Sequence, residues 1–243
     1  MPSFPTHYTG MPSVTREQMI EVDRLMVEHY GITLPQMMEN AGRSLAVVAR
    51  DHFLKGRTAG RSVVILAGTG GNGGGALTAA RRLKIWGANV RVVLTKPANE
   101  YKGVPALQLG ILQQMGVVLL TDPPSGSELI LDGLVGYSLR GAPRGRTAEL
   151  IEWTNKQITP VLSLDLPSGL DADRGLVYKN TIRASATVTL ALPKEGLLAS
   201  NARPMAGEIF LADISVPTVL YHSPKLGLDV GHIFSEGDIV KIR

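Results

Sequence analysis

Apolar residues recur along this chain with two different periods. Thr15 followed by Gln18 has the form of a capping box, and Met19, Val22 and Met26 then repeat at helical spacing until Gly31, which predicts a first helix. A second is predicted over residues 34–54, with Leu45, Val48 and Ala49 on its buried stripe and Gly56 just beyond it. From Ser62 onward, short β-branched or leucine-rich runs alternate with helical stretches, the pattern of a parallel sheet with crossover helices. Strands are expected near residues 62–67, 90–95, 117–120, 129–132, 161–165, 186–192 and 208–212. Of the intervening helices, Leu77, Ala80 and Leu83 line one, Leu107, Ile111 and Met115 another, and Ala148, Ile151 and Trp153 lie within a third.

No repeat, low-complexity tract or linker interrupts this order, so residues 1–243 are expected to form a single α/β domain. Residues 1–13 carry prolines and no period, and read as a loose arm. After Pro217 the tail, residues 218–243, ends in the apolar Ile239, Val240 and Ile242; an edge strand or a subunit contact is expected there, and its role is left open.

Composition removes several classes of function. There is no cysteine, and the five histidines are scattered without ligand-like spacing, so neither a disulfide framework nor a zinc site can be argued. A net charge of +4 from dispersed basic residues without interleaved aromatics does not indicate nucleic-acid binding; a small anionic ligand accounts for it. No apolar run is long enough to span a bilayer, and the first ten residues have no signal-peptide core, so a soluble cytoplasmic protein is expected.

Two features carry chemistry. Directly after the first strand of the sheet comes Gly68-Thr69-Gly70-Gly71-Asn72-Gly73-Gly74-Gly75, leading into a helix. Gly68, Gly70 and Gly73 satisfy the G-x-G-x-x-G spacing of dinucleotide binding, in which small residues admit the backbone to a phosphate and the helix start favours negative charge. A packing turn is the alternative. Ordinary NAD dehydrogenases also place an acid at the end of the next strand, but here Lys96 follows Thr95, and no Gly-Lys-Ser/Thr ending marks a nucleotidase. The second feature is a pair of apolar strands ending in Asp132 and Asp165. If both strands neighbour the first, Asn72, Asp132, Asp165 and Ser168 converge on one crevice, with hard oxygens suited to an alkali or alkaline-earth cation. Strand-end aspartates are equally familiar as turn formers. The basic loop of residues 136–146 lies between them, free to hold phosphate or simply to face water.

These residues, read together, resemble the YjeF N-terminal domain family, whose enzymatic members are NAD(P)H-hydrate epimerases. The likeness covers residues 15–217. It rests on Glu17-Gln18-Met19 with Asp23-Arg24, Met38-Glu39-Asn40-Ala41-Gly42, the glycine turn continuing to Ala80-Arg81-Arg82-Leu83, Asp132 with Gly136, Asp165-Leu166-Pro167-Ser168-Gly169, Pro193-Lys194 and Asp213-Ile214. The resemblance implies a three-layer αβα sandwich with a Rossmann-like, mostly parallel sheet and helices on both faces, often as a homodimer. It implies epimerisation of hydrated NADH and NADPH, with the dinucleotide as substrate and one potassium ion per subunit held by Asn72, Asp132 and Ser168. It assigns dinucleotide contact to Gly71, Asn72, Gly73, Gly74, Gly75, Gly136, Tyr137, Ser138, Leu139, Arg140, Gly141, Ala142 and Asp165, and acid/base catalysis to Asp165 with Lys96 as helper. The family turn reads Gly-Asn-Asn-Gly-Gly-Asp-Gly; Gly71, Gly75 and Ala76 depart from it, removing one carboxylate expected to face the ligand. The dehydratase domain fused in many bacterial relatives is absent from the sequence, which implies coupling to a separate dehydratase. A non-catalytic dinucleotide-binding or scaffold module of the same fold is the alternative, favoured by the altered turn, and an ordinary NAD oxidoreductase is a third reading that Lys96 disfavours.

Overall fold

The computed structural model describes residues 4–7 and 10–242. The runs expected as strands form β2 (Ser62–Ala67), β3 (Asn89–Leu94), β4 (Val118–Leu120), β5 (Leu129–Gly133), β6 (Val161–Leu164), β7 (Ala186–Leu190) and β8 (Glu208–Ala212). They join β1 (Thr6–His7) and β9 (Ile239–Ile242) in one sheet of order β1-β9-β8-β7-β6-β5-β2-β3-β4. Every pairing is parallel except β8 with β9, which is antiparallel. Because β3 and β5 flank β2 on opposite sides, the chain reverses direction across the sheet at β2, and a crevice opens there at the carboxyl edge.

Strand alternation divides the core in two. Val63, Ile65 and Ala67 of β2 face a layer built from α1 (Arg16–Glu28), α2 (Leu34–Val48), α3 (Gly71–Ile85) and α4 (Gly103–Gln114), while Val64 and Leu66 face Leu150 and Ile151 of α5 (Gly145–Asn155). Burial on both faces explains why these strands read as continuous apolar runs. A third cluster gathers Leu166, Leu170 and Leu197 beneath the short helices α6 (Glu195–Leu198) and α7 (Arg203–Ala206). Among the described residues no helix is long and apolar enough to cross a membrane.

Several sequence expectations shift. Pro5 to His7, read as part of a loose arm, is tied to the sheet: Thr6 pairs with Lys241, and the Lys241 N–H donates to the Pro5 carbonyl at 2.7 Å. Residues 1–3, 8 and 9 of that arm, and Arg243 of the tail, lie outside the described residues. The second helix runs on as expected, but its last turn, Ala49–Phe53, widens to π geometry. In α4 the buried residues are Pro105, Gln108, Leu109 and Leu112, while Leu107 is 53% exposed. This helix is apolar on several sides, so period alone did not select its face; packing against α3 did.

Candidate active site

The glycine run serves two purposes. Gly68 ends β2 so close to the next loop that a Cβ would sit 1.9 Å from the Leu134 carbonyl oxygen, and a Cβ on Gly73 would sit 1.8 Å from the Gly68 oxygen. Only glycine permits this closure. Helix α3 begins at Gly71, so Gly73, Gly74 and Gly75 lie inside its first turns and are buried against neighbouring elements. A side chain at Gly73 or Gly75 would meet neighbouring atoms, so these positions need glycine for packing, whatever their backbone N–H groups at the helix start contact. Position 75, where the family acid was missed, would direct a Cβ to 2.6 Å from Leu164 Cδ2, 3.7 Å from Ala41 Cβ and 3.9 Å from Met38 Sδ. Gly71 and Asn72 do line the crevice.

Asp165 stands one residue past β6 in the left-handed region, at φ +66°, which ends the strand and turns its side chain into the crevice. The Asp165 N–H donates to the Val188 carbonyl at 2.6 Å, and Oδ2 accepts the Tyr137 N–H at 2.9 Å. The other oxygen, Oδ1, forms an ion pair with Lys194 Nζ, both side chains being almost wholly buried. Lys194 also donates to the Leu190 carbonyl at 2.9 Å and lies 5.9 Å over the Tyr137 ring. The backbone at Lys194 is clamped by Val14, whose N–H donates to Pro193 and whose carbonyl accepts from Glu195. Beyond this pair, Tyr137 Oη donates to Asp23 Oδ2 at 2.5 Å. Burial raises the Asp23 carboxyl above its ordinary value, and burial with the adjacent Asp23 charge raises the Tyr137 phenol. A buried ion pair seldom stabilises a fold more than apolar packing would, so its presence in a cleft marks chemistry.

Sequence reasoning did not assign Lys194 and Asp23 to the site. The signal for Asp23 was available: it falls on the buried stripe of α1, four residues after Met19 and three before Met26. Lys194, one residue after the apolar Ala191-Leu192-Pro193, offered a weaker one.

Asp132 ends β5 beside β6 and is completely buried. It accepts from Ser163 Oγ at 2.8 Å, Ser168 N at 2.9 Å, Ser168 Oγ at 2.6 Å and Leu134 N at 3.2 Å. None of these donors is cationic. Burial raises its carboxyl, with the Ser168 contacts pulling the other way. The expected meeting of four residues in a single crevice is thus corrected in part. Asn72 and Asp165 face the crevice, whereas Asp132 and Ser168 lie beneath the loop of Leu134 to Gly136. That loop joins the two groups: the Val135 N–H donates to Ser168 Oγ at 3.0 Å, and at the next residue a Cβ on Gly136 would fall 2.6 Å from Asn72 Oδ1 and 2.7 Å from Asp165 Oδ2. Asn72 Nδ2 donates to the Leu164 carbonyl at 2.8 Å, leaving its oxygen turned toward Gly136.

Two cavities meet at Gly71, Asn72, Gly136 and Ser138. The first, of about 250 Å³, has Asp165, Lys194, Asp23 and Tyr137 among apolar walls from Met19, Leu34, Met38, Leu190 and Ile214. The second, of about 400 Å³, lies against Gly68 to Asn72 and carries Lys96, Arg144 and Arg146. Lys96 is therefore not beside Asp165: it lines the second cavity and pairs with Glu100 at 3.1 Å. The lysine beside the aspartate is Lys194. Of the loop expected to contact the dinucleotide, Gly136, Tyr137 and Ser138 line the first cavity, while Leu139, Arg140, Gly141 and Ala142 line neither. The Leu139 carbonyl instead accepts from Arg16 at 3.5 Å.

Residues 34–196 match the family model described as the YjeF-related protein N-terminus. An NAD(P)H-hydrate epimerase of Dehalogenimonas lykanthroporepellens is 44% identical over 86% of this chain and 84% of its own length. A bifunctional NAD(P)H-hydrate repair enzyme Nnr of Moorella thermoacetica is 35% identical over 85% of this chain, which spans 41% of that longer protein. The crystal structure of yeast ynu0 superposes with a TM-score of 0.81 at 29% identity, over 95% of this chain and all of the yeast one. On the family match and the extent of these relationships, the chain belongs to the YjeF N-terminal family.

Proposed function

We propose that this chain is an isomerase that interconverts the R and S forms of hydrated NADH and NADPH. The observation that carries the proposal is the buried Asp165–Lys194 pair opening into an apolar cavity beside a glycine turn. Inverting a hydroxyl-bearing ring carbon requires one bond there to break and re-form on the opposite face, so a proton must be taken up and returned beside the ring. Asp165 is the group for that transfer. Lys194 and the Tyr137 N–H hold its two oxygens, and Met19, Met38 and Ile214 provide apolar surface for a planar ring. Phosphates of the dinucleotide fit the second cavity, against the start of α3 and Arg144.

Asp132 and Ser168, with Asn72 on the other side of the Leu134 to Gly136 loop, are the residues that would hold a potassium ion, because Asp132 is a buried carboxylate whose donors are all neutral. Bound there, a monovalent cation would supply the positive charge that none of the donors to Asp132 carries. A cytoplasmic homodimer acting beside a separate dehydratase completes the reading, supported by the family resemblance. The altered glycine turn gives a scaffold role no support, since position 75 is a packing site.

The test is incubation with mixed hydrate epimers and a stereospecific dehydratase. Complete consumption of the resistant epimer is expected; its persistence refutes the reaction. Asp165→Asn should keep the fold and lose about 10²-fold or more of the rate, as removal of a general acid/base does. Turnover by that variant at the parent rate would remove Asp165 from its role.

A further inference from the structure

The end of β3 is where this class of sheet meets the adenosine ribose, through an acid when the 2′-hydroxyl is free or through a basic group when it is phosphorylated. Here that position carries Lys96. Lys96 and Arg146 both line the cavity at the glycine turn and also a neighbouring one of about 500 Å³, walled by Leu94, Pro97, Ala98, Leu119 and Leu120. The two basic side chains therefore mark the border between a polar chamber at a helix start and an apolar chamber of a size to take a purine. No carboxylate lines either chamber. Their acidic partners are solvent-exposed: Glu100 on Lys96 at 3.1 Å, and Asp122 and Glu149 on the half-buried Arg146 at 3.0 Å each, with the Thr121 carbonyl also accepting from Arg146. Ion pairs with exposed carboxylates contribute little to stability and can give way to a dianion.

We infer that Lys96 and Arg146 receive the 2′-phosphate of a phosphorylated dinucleotide, so that the chain prefers the NADPH-derived hydrate over the NADH-derived one. This rests on the dinucleotide reading above and adds its specificity. Lys96, displaced from the catalytic cavity by the geometry, acquires a role there, and Arg146, at the start of α5, supplies a planar donor fork suited to phosphate. Arg144 lines only the polar chamber and is left for the pyrophosphate.

The experiment compares kcat/KM for the two hydrates in the parent and in the double variant Lys96→Gln, Arg146→Gln. The parent ratio is expected to favour the phosphorylated hydrate by about tenfold, and the variant to lose that preference through KM, as removal of charge-assisted contacts does. A parent ratio at or below one, or an equal loss on both hydrates, overturns the inference. A second measurement needs no turnover: adenosine 2′,5′-bisphosphate should raise the melting temperature of the parent more than adenosine 5′-monophosphate does, with the difference absent in the variant. If neither hydrate is epimerised yet the bisphosphate is still preferred, the reaction fails and the specificity stands; if hydrates turn over without discrimination in either assay, the specificity fails and the reaction stands. The melting temperature of the unliganded variant reports that it is folded.

Discussion

Gly136 shows how little room single residues leave in this site. A Cβ there would lie within 2.7 Å of both Asn72 Oδ1 and Asp165 Oδ2, so any side chain must push the aspartate, the asparagine or the loop aside. Gly136→Ala should consequently fold, because the position borders a cavity, yet lose about 10²-fold in kcat/KM through misplacement of Asp165, the proposed acid/base group. Steady-state kinetics with a melting curve would check this; a variant with parental kinetics would mean that Asp165 works from another position. The same reasoning distinguishes the two lysines. Lys96 is exposed and held by a surface pair, whereas Lys194 is buried against Asp165, and only the latter can fix the orientation of the carboxylate.

Among elements, α1 has the clearest division of labour. Its capping box is formed as the sequence predicted, with Thr15 Oγ1 accepting the Gln18 N–H at 3.2 Å and Gln18 Oε1 accepting the Thr15 N–H at 2.9 Å. The Arg16 N–H is anchored to Asp173 at 2.6 Å. These contacts set the helix so that Met19 and Asp23 reach the cavity of Asp165. Thr15→Ala should lower unfolding free energy by about 1 kcal/mol, the usual cost of a lost N-cap, read from the denaturant midpoint. An unchanged midpoint would show that the Asp173 contact alone holds this end. At the strand ends, Asp165 and Ala191 both take positive φ, at +66° and +64°, and this turns β6 and β7 out of the sheet beside the cavities. Both strands accordingly end earlier than the apolar runs suggested.

For the whole molecule, the buried Asp132 would connect the proposed cation binding to stability. Its carboxyl is raised above the ordinary 3.8 by burial, so its contribution to stability is complete below that value and is lost as pH rises through the folded value. Asp23 adds a loss of the same sign. The potassium ion proposed at Asp132 would favour the ionised form and offset the first loss. Melting in potassium chloride should therefore exceed melting in tetramethylammonium chloride at equal ionic strength by a margin that is small in acid and grows with pH, and Asp132→Asn should abolish the margin. A margin that does not depend on pH, or persists in the variant, would place the ion elsewhere.

The sequence by itself determined the parallel sheet, its seven strands between residues 62 and 212, the glycine turn, and Asp132 and Asp165 as strand-end acids. All of these depend on local period, local turn chemistry and chain order, which one strand and its flanks express without help. Only tertiary structure decided which lysine meets Asp165, that Gly73 and Gly75 leave no room for a side chain, that α4 turns Leu109 and Leu112 inward, and that the chain ends close the sheet as β9 and β1. Lys194 follows Asp165 across a long loop and the whole of β7, and β1 pairs with a strand at the far end of the chain. Such meetings are set by how strands stack and loops cross, so neither spacing nor composition could express them.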